Sequence, residues 1–344
     1  MLQLKNHTPF KAAIAVFPNE RGIDSLYVAV KATFTLGRSL EPADEQIPVR
    51  MADEYWGEPG QSSLKYASEL HLSKPSTDIV MIGRAWPPGG KAVTRLDVQL
   101  QAARQRKTVR VFGERRWFKA GNELRITEPI PFESMPLRYE RAYGGLHAKD
   151  PEGRQVLCEP RNPVGAGFRG DRRPEELHGL PLPNLEDPAH PIARPDDRPP
   201  PACFGYVAAA WEPRKSFAGT YDETWAKKRA PYLPQDFDSR YFNAAHPDLV
   251  CQAYLKGGEP VTMTHLSPAG PLAFNLPLCE FDISVQVAGR MEHPPLNLET
   301  VLIEPEENRL GLLWRAAVEC DKMVLKVSQV DIVLKDLTAD GARI

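Results

Sequence analysis

The sequence predicts a mainly β protein: sandwich-like antiparallel sheets built by its two terminal regions, a long Pro/Gly-rich irregular middle, and few short helices. Three observations carry this expectation. Apolar residues alternate with period two near both ends, and no long stretch repeats at helical spacing. Twelve of the 34 prolines fall between Pro151 and Pro201, and none follows Pro305. Proline lacks an amide proton and has a fixed φ, so it interrupts helices and central strands alike.

The first clear strand runs from Leu26 to Leu36. Leu26, Val28, Val30, Ala32, Phe34 and Leu36 share one face, and Tyr27, Lys31, Thr33 and Thr35 the other, as a half-buried strand requires. Leu96, Val98 and Leu100 then alternate with Arg95, Asp97, Gln99 and Gln101. Val109 to Phe112 follows, ending at a turn at Gly113-Glu114. Toward the C-terminus come the rows Phe281, Ile283, Val285, Val287 and Leu310, Leu312, Trp314, Ala316, Val318. In the last row Leu325 and Val327 precede Val330, Ile332 and Leu334, a change of phase at Ser328-Gln329. One added residue turns a strand's faces over, so a β-bulge is expected there.

One helix is expected over residues 220–228. Thr220-Tyr221-Asp222-Glu223 fits a capping box, Lys227, Lys228 and Arg229 suit the negative end of the dipole, and Pro231 stops the run. Tyr221 and Trp225, four apart, share a face expected to pin this helix to the body. The chain thus divides into an N-terminal β region (1–128), a loop-rich middle (129–275) and a C-terminal β region (276–344). A single compact unit is the alternative.

Composition narrows the function. Hydrophobic residues make up 42% and charged residues 26%, and the net charge is −2. Neither nucleic acid nor an anionic membrane is expected to attract such a chain. The seven Lys and Arg residues from Arg104 to Lys119, against Glu114, read as the solvated face of a β-ribbon. The apolar run Ala12 to Phe17 is too short for a signal peptide, and no stretch approaches the ~18 apolar residues of a membrane helix. A cytoplasmic protein without membrane insertion is expected. Cys158, Cys203, Cys251, Cys279 and Cys320 are odd in number and widely spaced, which suits reduced thiols better than a disulfide framework.

Catalytic chemistry finds few footholds. Gly165 to Gly170 matches G-x-G-x-x-G, but Pro160, Pro163 and Pro174 flank it where a nucleotide loop needs a strand before and a helix after. The eight histidines, His147 and His265 among them, lack metal-ligand spacing. Nothing beside Cys203 in sequence would lower its pKa. Asp236 and Asp238 offer paired carboxylates with Arg240 at hand, which favours an ion pair over acid–base work. No catalytic residue, metal or cofactor is expected. A hydrolase using Asp236 and Asp238, and a β-sheet carbohydrate-binding module, are the alternatives.

What remains is aromatic and Arg residues within irregular chain. Arg138, Tyr139, Arg141, Tyr143, Trp225, Arg240, Tyr241 and Phe242 are the candidate partner-binding residues, being of the types enriched in protein–protein hot spots. The competing reading is that they satisfy and pack the loops that carry them.

At these residues the sequence resembles a bacterial family, domain of unknown function 2169. The matching segments are Leu4-Lys5-Asn6-His7-Thr8-Pro9-Phe10, Tyr139-Glu140-Arg141-Ala142-Tyr143-Gly144-Gly145, Asn162-Pro163-Val164-Gly165-Ala166-Gly167-Phe168 and Leu182-Pro183-Asn184-Leu185-Glu186. They continue through Phe204-Gly205, Trp211-Glu212-Pro213-Arg214, Gly219-Thr220-Tyr221-Asp222 and Trp225. Then come Leu233-Pro234-Gln235-Asp236-Phe237-Asp238, Arg240-Tyr241-Phe242-Asn243-Ala244-Ala245 and Gly257-Gly258-Glu259. The resemblance implies a non-enzymatic adaptor or chaperone that binds a toxin effector of the type VI secretion system and helps load it on the secretion spike. It brings no catalytic residues.

Overall fold

The computed structural model describes residues 2–37, 40–121, 123–150, 155–339 and 342–343. Strand outweighs helix, 42% against 11%, and none of the described sheets closes into a barrel. The strand expected at Leu26 forms as Asp24–Thr35 and becomes an interior strand of a sheet ordered Lys11–Pro18, Asp24–Thr35, Arg309–Glu319, Asn297–Glu304, Asp78–Met81, with Glu41–Pro42 also paired to its end. All these pairs are antiparallel except the last, Asn297–Glu304 with Asp78–Met81. N- and C-terminal strands thus interleave in one sheet.

A second sheet is ordered Gln3–Asn6, Val327–Ala339, Leu278–Val287, Arg290–Glu292, and its first pair is also parallel. The sheets are therefore mixed rather than purely antiparallel. The two stack face to face through aromatic contacts. Phe281 meets Trp314 at 5.1 Å between ring centroids, and Phe10 meets both Phe34 and Phe281. A third, antiparallel sheet joins Arg95–Ala102 and Gln105–Phe112 with Leu185–Glu186, Pro260–Thr264 and Leu272–Asn275. Its Val98, Leu100, Val109 and Met263 share one apolar core with Phe34, Ile79 and Leu312, so the middle of the chain packs on the same core as the ends.

Several local expectations shift. The bulge is present: Gln286 pairs with Gln329 and Val287 with Val327, leaving Ser328 as the extra residue. Leu325, however, lies outside the strand, in the 3-10 turn Asp321–Lys326, and is 94% exposed. The helix is Glu223–Lys228, and its cap is Asp222, which accepts from the Trp225 amide at 2.8 Å. Thr220 lies two residues before that cap, and its amide and hydroxyl donate instead to Asp236. Tyr221 is exposed and no residue of the helix is buried, so the Tyr221–Trp225 contact pins nothing to the body. The basic run is only partly solvated: Lys107 is buried against Asp248, and Arg115 against Glu186.

The central strand also departs from the half-buried expectation, since Tyr27, Ala29, Lys31 and Thr33 are buried as well. Residues 43–76 cover that second face, and they are held there largely by charge. Lys31 donates to Glu69 at 2.7 Å, and Gln46 brackets the Thr33 backbone with two bonds of 2.8 Å. Arg315 pairs with Glu299 at 2.7 Å and donates to the Glu69 carbonyl, while Tyr66 donates to Glu304. Lys74 donates to Asp78 at 2.6 Å and to Thr300 at 2.9 Å. Buried charges are tolerated only when paired in this way.

Candidate functional site

The loop-rich middle is ordered by one amide. Asn162 is fully buried, and its Nδ2 donates to the carbonyls of Tyr139 at 2.7 Å and Tyr143 at 3.0 Å. This draws Tyr143–Gly144 alongside Ala166–Gly167 as a two-residue parallel pair. The approach is too close for side chains. A Cβ on Gly144 would meet the Asn162 carbonyl at 2.1 Å, and one on Gly165 would meet the Ala142 carbonyl at 2.6 Å. The glycines of Gly165–Gly170 thus serve backbone packing, with only the short 3-10 turn Pro174–Leu177 following them.

Two candidate residues are absorbed by this packing. Tyr139 is buried edge-on against Trp211, and Tyr143 lies in a second apolar cluster with Trp117, Phe168 and Leu177. Burial pushes the Tyr143 phenol up to about 12 and Tyr139 well above its usual value. Both side chains are almost wholly buried, Tyr139 at the wall of a cavity. Arg138 is half-buried with its guanidinium 3.4 Å from the centre of the Trp56 ring. Arg141 reaches Glu114 at 3.0 Å and Asn184 at 2.8 Å. Trp225 is half-buried on the exposed helix and donates to the Tyr232 carbonyl.

Arg240, Tyr241 and Phe242 fall in the 3-10 turn Ser239–Phe242, capped by Asp238. Asp238 accepts from both the amide and the guanidinium of Arg240, and exposed Arg240 lies over the Phe217 ring at 4.4 Å. Phe237, Tyr241 and Phe242 touch one another, and Phe242 stacks on His71 at 5.2 Å. Asp236 accepts from the amide and hydroxyl of Thr220. The Thr220 bonds hold the Asp236 carboxyl below the usual range, and the Arg240 bond does the same for Asp238. The two carboxylates are thus engaged separately, each holding its own turn.

Beside this turn the loops leave two adjoining cavities, of about 180 and about 270 Å³, which share Val207, Pro213 and Pro247 as lining. The smaller extends to Phe217, Arg240 and Asn243, the larger to Tyr139, Pro201 and His246. Prolines keep their shape on binding, so such walls lose little entropy. The Tyr139 hydroxyl and Asn243 Oδ1 are buried without a hydrogen-bond partner. Buried Arg214 ties the walls together, donating to the carbonyls of Val207 at 2.6 Å and Tyr241 at 2.9 Å. From below, Asp78 accepts from the Asn243 side chain and the Ala244 amide at 2.8 Å each, so the sheet's charge network sets the groove's floor. His246 is held neutral: its Nε2 donates to the Pro201 carbonyl and its Nδ1 accepts from the Asp248 amide. Burial and the neighbouring Lys107 lower its pKa to about 4.

The sequence reading missed Val207, Asn243, His246 and Pro247 as groove residues. Their only signal was that Asn243 and its neighbours lay in a segment of family resemblance. Among the described residues, no three His, Cys, Asp or Glu side chains converge as metal ligands, and no helix is long and apolar enough to cross a membrane. Burial pushes the Cys203 thiol up to about 11.

Neither a curated protein nor a solved structure matches the chain. Residues 21–315, which include the Asn162 clamp and both cavities, match one family model, and the chain therefore belongs to the bacterial family described as "Uncharacterized protein conserved in bacteria (DUF2169)".

Proposed function

We propose that this protein is a non-enzymatic, cytoplasmic adaptor or chaperone that grips a toxin effector of the type VI secretion system and helps mount it on the spike. The observation that carries the reading is the groove over Val207, Pro213 and Pro247, built by segments that resemble the family. An extended apolar stretch of the effector fits it. Rigid prolines line its walls, and exposed Arg240 over Phe217 supplies the cation and aromatic surface typical of a hot spot. Asp236 and Asp238 each hold their own turn, through Thr220 and Arg240, which favours the adaptor over the hydrolase alternative.

Co-expression tests this. A candidate effector toxin co-expressed with the wild-type chain should accumulate in soluble form and co-purify with it. It should be lost from the complex with Phe217→Ala/Arg240→Ala. Equal recovery with the wild type and with this double variant would move the docking surface off the groove.

A further inference from the structure

We infer that the segment gripped by the groove is cationic at one end: an extended peptide of the form apolar–x–Lys/Arg, or the same order reversed. Its apolar side chain fills the smaller cavity and its basic one the larger. This rests on the groove being the docking surface, and it names the chemistry of what docks there.

The two cavities differ in their charge. The smaller is walled by Val207, Phe217, Ala245 and Val250, and its cations are already engaged, Arg214 by backbone carbonyls and Arg240 by Asp238. The larger carries three carboxylates, Asp187, Glu212 and Asp248, against one guanidinium, Arg161, which Glu159 binds at 2.6 Å. Lys107 pairs with Asp248 at 2.8 Å, and His190 meets Asp187 at 2.9 Å. Glu212 is left over. It is half-buried, and its carboxylate has no hydrogen bond or ion pair among the described residues. A carboxylate drawn partly out of water gains most from an incoming cation.

Unmet hydrogen bonds point the same way. Tyr139, 2% exposed, lines the larger cavity, and its hydroxyl has no partner. Asn243, 6% exposed, lines the smaller. Its Nδ2 donates to the Ser76 carbonyl and to Asp78, which leaves Oδ1 an acceptor without a donor. Buried polar groups without a partner are rare and call for a missing one. Lys and Arg head groups carry only donors, and peptide amides add more. Asp or Glu would bring acceptors, and like charge, to Glu212.

The spacing follows from the geometry of an extended chain. The cavities share Val207, Pro213 and Pro247, so they adjoin. Side chains two positions apart in an extended peptide turn to the same side, roughly 6.6 Å from one another. Adjoining cavities therefore take residues i and i+2, and the residue between them faces solvent.

Random nonapeptides displayed on phage and selected on the purified full chain test this, each enriched peptide being resynthesised and titrated by fluorescence polarisation. The wild type should enrich Lys or Arg two positions from an aliphatic or aromatic residue. Exchanging that Lys or Arg for Glu should weaken binding roughly tenfold or more. Glu212→Lys should reverse the preference, binding the Glu peptide better than the Lys peptide. Glu212→Gln should narrow the difference between the two, and it decides the matter if Glu212→Lys fails to fold. Peptides that need Phe217 and Arg240 but show no basic position would overturn the inference and leave the groove as the docking surface. A Lys preference unchanged in both Glu212 variants would do the same. No enrichment, or peptides indifferent to Phe217→Ala/Arg240→Ala, would overturn both.

Discussion

Asn162 shows how much one side chain can organise. Its amide satisfies two buried carbonyls, so Asn162→Ala strands both acceptors, at ~1–3 kcal/mol each. Urea unfolding should show this loss, while Arg138→Ala, which breaks a contact at the half-buried Trp56 ring, should cost far less. The motif containing Asn162 was visible in the sequence, but its role was not: nothing local says that this side chain reaches carbonyls 19 and 23 residues away. The same holds for Tyr139 and Tyr143, whose burial depends on Trp211 and Leu177, residues brought up by distant loops. His246 makes a second residue-scale prediction. Its folded pKa is depressed below the ordinary 6.5, so the stability it contributes is present above pH 6.5 and lost as pH falls toward about 4. The loss is on the order of 3 kcal/mol. Urea midpoints measured from pH 7.5 downward should fall more steeply for the wild type than for His246→Asn.

At the scale of elements, legibility followed the range of the cause. The bulge at Ser328 was readable because the phase change is written in consecutive residues. The cap lies two residues later than expected, at Asp222, and Thr220 instead bonds Asp236, sixteen positions on. Asp222→Ala should therefore remove the cap, at a local cost of ~1 kcal/mol. Hydrogen exchange at the Trp225 and Ala226 amides should quicken, whereas Thr220→Ala should leave the Trp225 amide unchanged. Lys11–Pro18 escaped notice as a strand because its apolar residues run together without alternating with polar ones.

For the molecule as a whole, period two located the faces of the central strand but not what lies against them. Lys31 and Thr33 read as a solvent face; residues 43–76 turn it into an interior braced by ion pairs. Arg315→Met should therefore be severe, ~3–5 kcal/mol in chemical denaturation, because it removes the ion-pair partner of the buried Glu299 carboxylate and leaves it only the Lys74 amide and the more distant Lys74 charge. Burial already raises the Glu299 pKa, so the double variant Arg315→Met/Glu299→Leu should recover much of the loss. That network reaches the groove: Asp78, within it, holds Asn243 and Ala244 there. The proposed capture of an effector by the groove is the central claim, and calorimetric titration of a purified candidate effector toxin into the wild type and into Phe217→Ala tests it most directly. Saturable binding by the wild type, weakened ~30-fold or more in a variant of equal melting temperature, is the predicted result. Equal affinity for both proteins, or no binding to the wild type, would contradict it.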